Sequence, residues 1–269
     1  MLNNYRFTLS FYFYSTIIPW TLWFISAYLS HRSDAGELGF YISLLGFLGL
    51  LGPLIVSIWL ITKEKYLWTD VKNRLIFVPF GKRKYFLMAL FLMPLSIILA
   101  MAISLLFGYD INQFIITGKA TFTSLVFPVW FLLVIAPVIE ELAWHSYGTD
   151  ALRRKYTLFT TSIVFALYWG IWHIPLAFIE GYYHSNLVLD GAIYSINFLV
   201  SMFPFVFLMN WLYYKTDRNI LVAILMHLNA NVFNEIFATH PDSKIIQTIL
   251  LLILSIYIVY TQKEMFFRK

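Results

Sequence analysis

Residues 138–148 read VIEELAWHSYG and close an apolar run that begins near Phe122. The run ends on two adjacent carboxylates, Glu140 and Glu141. One carboxylate in hydrocarbon is costly; two side by side are worse, because each disfavours the other's ionisation. Either this stretch lies outside a membrane, or the protein uses these groups. Composition favours the second reading. Of 269 residues, 60% are hydrophobic and 12% are charged, with a mean hydropathy of +0.73. A soluble domain is nearer about half apolar and a quarter charged. The excess lies in long blocks, so an all-α polytopic integral membrane protein is expected, not a large soluble core.

Eight segments of about 20 residues are each long enough to span. They are 9–29, 38–62, 85–107, 122–147, 158–179, 191–213, 220–237 and 245–261. The first is too long for a signal-peptide core and lacks a small-residue cleavage site, so it counts as a span. There is no internal repeat and no soluble insertion, so residues 1–269 read as a single membrane domain. The long polar link 63–84 mixes aromatic and basic residues and reads as an interfacial, cytoplasmic segment. Eight spans put both termini on one side. Of the 19 Lys and Arg residues, all but Arg32, Lys119 and Lys244 fall on that side. This asymmetry predicts a multi-pass cell-membrane protein with both termini in the cytoplasm. It also accounts for the formal net charge of +5, so no nucleic-acid partner is expected. With no cysteine, the chain has no disulfide, thiolate metal site or cysteine nucleophile.

Three apolar blocks carry ionisable groups near their centres, where such groups are functional candidates. The fourth holds Glu140, Glu141 and His145; the fifth holds His173; the seventh holds His227, Asn231 and Glu235. At the helical rise, His227, Glu140 and His173 lie about 10, 15 and 20 Å from the cytoplasmic ends of their helices. These depths predict one cluster in a cavity that the eight helices enclose and that opens to the cytoplasmic side. His227 and Asn231 share a helix face, as do Glu141 and His145. Glu140 is turned about 100° from Glu141, so Glu140 is expected to face the cavity and Glu141 to be held by a neighbour. Trp169 stands one turn before His173 and can pack on its imidazole. Asn197 and Asn210 read as interhelical hydrogen bonds, and Glu235 as structural.

A buried carboxylate beside a neutral imidazole can take a proton from water, which can then attack a carbonyl. His227 and the Asn231 amide, on one rigid helix, are placed to stabilise the oxyanion. No Ser or Thr presents itself as a nucleophile in the cluster. Zinc is the competing cofactor, because two His and one Glu make a known catalytic ligand set. Against it, the seventh block carries His-x-x-x-Asn and the chain has no HExxH. No metal is therefore expected.

The EELAWH of 140–145, the WGIWH of 169–173 and the HLNAN of 227–231 resemble, in order and spacing, the three motifs of the CAAX-protease and bacteriocin-processing intramembrane peptidases. The compact, cysteine-free chain looks most like an archaeal member of the Ras-converting CAAX prenyl endopeptidase branch. The resemblance implies a glutamate-type intramembrane protease without a covalent intermediate. It would remove the last three residues of a farnesylated or geranylgeranylated CAAX protein in the lipid bilayer. Glu140 and His173 would activate water, and His227 and Asn231 would hold the oxyanion. Glu141, His145 and Trp169 would support them. The family pattern is EE-x-x-x-R; here His145 stands at the Arg position, and Trp169 replaces the usual Phe. Three other readings use the same residues: a bacteriocin- or regulatory-protein-processing peptidase, a non-catalytic member, and an ion-coupled transporter. The last lacks the expected paired repeats.

Overall fold

The computed structural model describes residues 2–76, 81–124 and 126–269. The described residues are helical, with no β-strand beyond an isolated bridge between Ile116 and Phe237. Twelve α-helices follow in order: α1 Thr8–Ser30, α2 Gly39–Thr62, α3 Lys65–Ile76, α4 Arg83–Ser104, α5 Val129–Ala143, α6 Thr149–Arg153, α7 Leu158–Trp172, α8 Tyr183–Asp190, α9 Ala192–Lys215, α10 Ile220–Ile236, α11 Pro241–Thr261 and α12 Lys263–Phe267. Six segments are long and apolar enough to cross a membrane: α2, Arg83–Phe107, Val129–Arg153, Leu158–Phe178, α9 and α11. Of the eight predicted spans, α1 falls outside these six, and α10 is a shorter apolar helix. The chain is a multi-pass membrane protein.

The fourth span begins later than predicted. Pro128 precedes Val129, and the clash of a proline ring with the preceding residue keeps Phe127 out of helix. The helix then runs past the predicted end to Arg153, by way of a π-helical turn at Trp144–Gly148. There the Thr149 N–H bonds the Trp144 carbonyl, one residue further back than in an α-helix. At Gly148 helix α1 passes so close that a Cβ would lie 2.6 Å from the Phe11 ring.

A wide turn frees carbonyls, and side chains take them up. Arg74 donates to the carbonyls of His145 (2.9 Å) and Ser146 (3.0 Å), and the Tyr213 hydroxyl donates to that of His145 (2.8 Å). Arg74 comes from α3, inside the link read as interfacial. Residues 77–80 of that link lie outside the described residues. The α3 helix buries Leu67, Val71 and Arg74 and exposes Tyr66 and Trp68, so it is amphipathic. Arg74 also pairs with Asp70 and with the fully buried Asp150, while Arg218 pairs with the same two carboxylates. Burial raises the Asp70 carboxyl, but the guanidinium groups of Arg74 and Arg218 outweigh it and hold Asp70 below the usual carboxylate range. The Arg218 contacts hold two consecutive left-handed residues, Asp217 and Arg218, at φ 57° and 67°. This network closes the end of the bundle that carries both termini.

Arg74→Ala removes one of the two guanidinium partners of Asp70 and Asp150 and the side-chain donor to the Ser146 carbonyl. It is expected to destabilise the chain by about 3 kcal/mol, the scale for breaking one partner of a buried ion pair. Chemical denaturation in detergent micelles reads that loss; wild-type stability would refute the role.

Candidate active site

A cavity of about 400 Å³ runs into the bundle, and Glu140, His173, His227 and Asn231 all line it. Glu140 comes from α5, His173 from the C-terminus of α7, and His227 and Asn231 from α10. One Glu140 oxygen, Oε2, accepts from the indoles of Trp169 (2.9 Å) and Trp144 (3.3 Å). Trp169 also ties in the two histidines. Its carbonyl accepts from His173 Nδ1 at 2.6 Å, and its ring meets His227 edge-on at 5.2 Å. With Nδ1–H donated to that carbonyl, the neutral form of His173 has its lone pair on Nε2. Phe at position 169 would pack in the same place but could not donate to Glu140.

Glu141 and His145 lie behind the cavity wall and are fully buried. Glu141 spans two histidines: Oε2 is hydrogen-bonded to His145 Nδ1, and Oε1 to His227 Nδ1 at 2.8 Å. His145 Nε2 in turn meets Asn210 Oδ1 at 3.1 Å, and the Asn210 amide donates to Ser162 at 3.0 Å. The His145 imidazole thus reaches Glu141 on one side and α9 on the other. Asn231, one turn beyond His227, has no side-chain partner among the described residues and presents its amide to the cavity.

Three contributors are not singled out by the sequence. Trp144 is one aromatic among many, although its four-residue spacing from Glu140 is helical. Asn210 forms the interhelical hydrogen bond expected of it, with His145 as partner. Arg74 was hidden in the polar link. His184 stacks on His173 with ring centroids 5.0 Å apart, and both its nitrogens are shielded without a hydrogen-bond partner among the described residues. Its position on α8, outside the apolar blocks, gave no signal.

The cavity reaches the bundle end opposite the termini. Its exposed lining residues Thr121, Thr123, Glu180 and Asp190 belong to the segments at that end. The sequence reading put the termini and the opening together on the cytoplasmic side; in the structure they are at opposite ends, because the Arg74–Asp150 network plugs the terminus end. Among the described residues no group of three or more His, Asp or Glu side chains is arranged to hold a metal ion.

Fold and site together define a multi-pass, all-helical membrane protein with acid, imidazole and amide groups gathered in an internal cavity. Residues 122–233 match the type II CAAX prenyl endopeptidase Rce1-like family. The chain is 36% identical over 272 residues to CAAX prenyl protease 2 of Methanococcus maripaludis, covering 100% of this chain and 99% of that relative. The chain belongs to the Rce1-like family of CAAX-processing membrane proteases.

Glu141→Gln keeps the shape but weakens the acceptor that fixes His227. It is expected to lower kcat for peptide cleavage by about 100-fold with little change in KM, as for loss of a group aimed at transition-state charge. Steady-state kinetics on folded variant protein checks this; unchanged kcat would show that Glu141 only fills space.

Proposed function

We propose that the chain is an endopeptidase that removes the C-terminal tripeptide from prenylated CAAX proteins, using water activated by Glu140 and His173. The observation that carries this is the two-sided cavity. One flank, from α2 and α5, is apolar and includes Phe47, Leu50, Leu132 and Leu133. The other, from α8 to α11, is polar and includes Asn186, Asn234 and Gln247. Glu140 extends from the first flank, and His227 and Asn231 extend from the second. A prenyl chain suits the first flank and a peptide tail the second. The family and the name of the curated relative support the same substrate class.

The hydrogen bonds support the following chemistry. Glu140, with one oxygen anchored by two indoles, takes a proton from water, and His173 Nε2 orients that water. The hydroxide adds to the carbonyl carbon of the prenylated cysteine. An imidazolium at His227, its Nδ1–H held by Glu141, turns its Nε2–H to the oxyanion beside the Asn231 amide. When the tetrahedral adduct breaks its C–N bond, Glu140 returns the proton to the leaving amine. The products are a prenyl-cysteine carboxylate and a free tripeptide. No metal and no covalent intermediate take part. In this reading α1 and α10 complete an eight-helix frame with the six longer spans.

Purified protein is expected to release the tripeptide from a farnesylated CAAX peptide at least about 10-fold faster than from its unprenylated counterpart, since each buried CH₂ contributes about 0.8 kcal/mol. Mass spectrometry of the products measures this. Equal rates would point to leader or regulatory-protein processing instead.

Orientation is tested separately. A substrate prenylated in the cytoplasm requires the cavity mouth to face the cytoplasm, whereas the Lys and Arg asymmetry favours the terminus end there. Cysteine introduced at Glu180 of the cysteine-free chain is expected to react with an impermeant maleimide from the cytoplasmic side. Reaction only from outside would uphold the cytoplasmic termini and deny tethered substrates the aqueous mouth.

A further inference from the structure

The polar flank contains a single Lys or Arg among its described residues, Lys244. By sequence it was one of three basic residues on the side away from the termini. In the structure it leaves the first turn of α11, whose N-terminal dipole also favours an anion, and lines the cavity with its side chain 16% exposed. Its nearest carboxylate is the buried Glu235, at 3.6 Å, and its ammonium lies 5.9 Å from the Tyr183 ring centre. Glu235 does not depend on Lys244 for its hydrogen bonds. It accepts from the Thr121 N–H (2.6 Å), the Thr121 hydroxyl (2.8 Å) and the Asn234 amide (3.0 Å). The ammonium forms no hydrogen bond among the described residues, so its three donors remain available to a ligand.

The surroundings specify that ligand. Glu140, Glu180, Asp190 and Glu235 line the same cavity, so an anion there needs a fixed cation. Resting on the CAAX reading above, we infer that Lys244 receives the free C-terminal carboxylate of the substrate. Distance supports this. Glu235 lies four residues beyond Asn231 on α10, about 6 Å along the helix, and its carboxylate is 3.6 Å from the Lys244 ammonium. Three extended residues span about 10 Å. A three-residue tail with its scissile carbonyl at Asn231 is therefore long enough to pass Glu235 toward Lys244. Lys244 acts as the far end of a ruler that fixes how many residues are removed.

The test compares prenylated CAAX peptides ending in a free acid with the same peptides ending in an amide, on wild type, Lys244→Met and Lys244→Arg. Wild type is expected to favour the acid by about 10- to 100-fold in kcat/KM, the range for a charge-assisted hydrogen bond. Lys244→Met should raise KM for the acid by a similar factor and bring the acid-to-amide ratio close to one. Lys244→Arg should keep the preference. A purely structural role would lower both substrates alike and leave the ratio intact, which would overturn the inference. So would a wild type that cuts acid and amide equally, a result that needs no variant to fold. A wild type that cuts the prenylated acid but shows no Lys244 dependence refutes this inference alone; one that cuts neither refutes the CAAX reading and this inference with it.

Discussion

The Glu141 carboxylate, buried between His145 and His227, ties together the helices that carry the site. An ionised carboxylate out of reach of water costs several kcal/mol unless its oxygens are fully partnered. Here the partners come from the π-turn that follows it and from α10. The clamp thereby joins α5 to α10 and turns one edge of His227 toward the cavity. His145 cannot shift without breaking its second contact, to Asn210 on α9. The π-turn that carries His145 leaves carbonyls that only an outside donor can satisfy, and Arg74 and Tyr213 supply the donors. The chain of support runs from α3 through Arg74 to the turn, and from Glu141 to the site.

The same arrangement gives the two glutamates different work. Glu141 is enclosed and serves as an anchor. Glu140 is fixed by one oxygen through Trp169 and Trp144 and meets the cavity, which leaves its other oxygen for a substrate or water. Like charges this close need separate means of support. Indole N–H groups hold one carboxylate, and imidazoles hold the other. Trp169 touches three of the four groups proposed to act on substrate, so the aromatic one turn before His173 does more than pack.

Much of this was legible in the sequence because it is local. Apolar blocks, intramembrane polar residues and four-residue spacings are written along single helices. They named Glu140, Glu141, His145, Trp169, His173, His227 and Asn231 before any geometry was known. Partners distant in the chain were not legible. Nothing near Arg74 shows that Asp150 and the carbonyl of His145 meet it, 76 and 71 residues away. The end at which the cavity opens was also hidden. It depends on which of two helix-end clusters packs shut, and charge counting treats both as loops. Lys244 shows the same limit: as a sequence feature it marked topology, while in three dimensions it faces the cavity.

In the proposed mechanism Glu140, and no metal, activates the attacking water. It is tested most directly by cleavage of a farnesylated CAAX peptide by wild type and Glu140→Gln, each with and without a strong zinc chelator. Expected is wild-type cleavage that the chelator leaves unchanged and that Glu140→Gln lowers by at least about 1,000-fold, within the range for loss of a general base. Chelator-sensitive cleavage, or a Glu140→Gln chain that still cleaves at the wild-type rate, would contradict it.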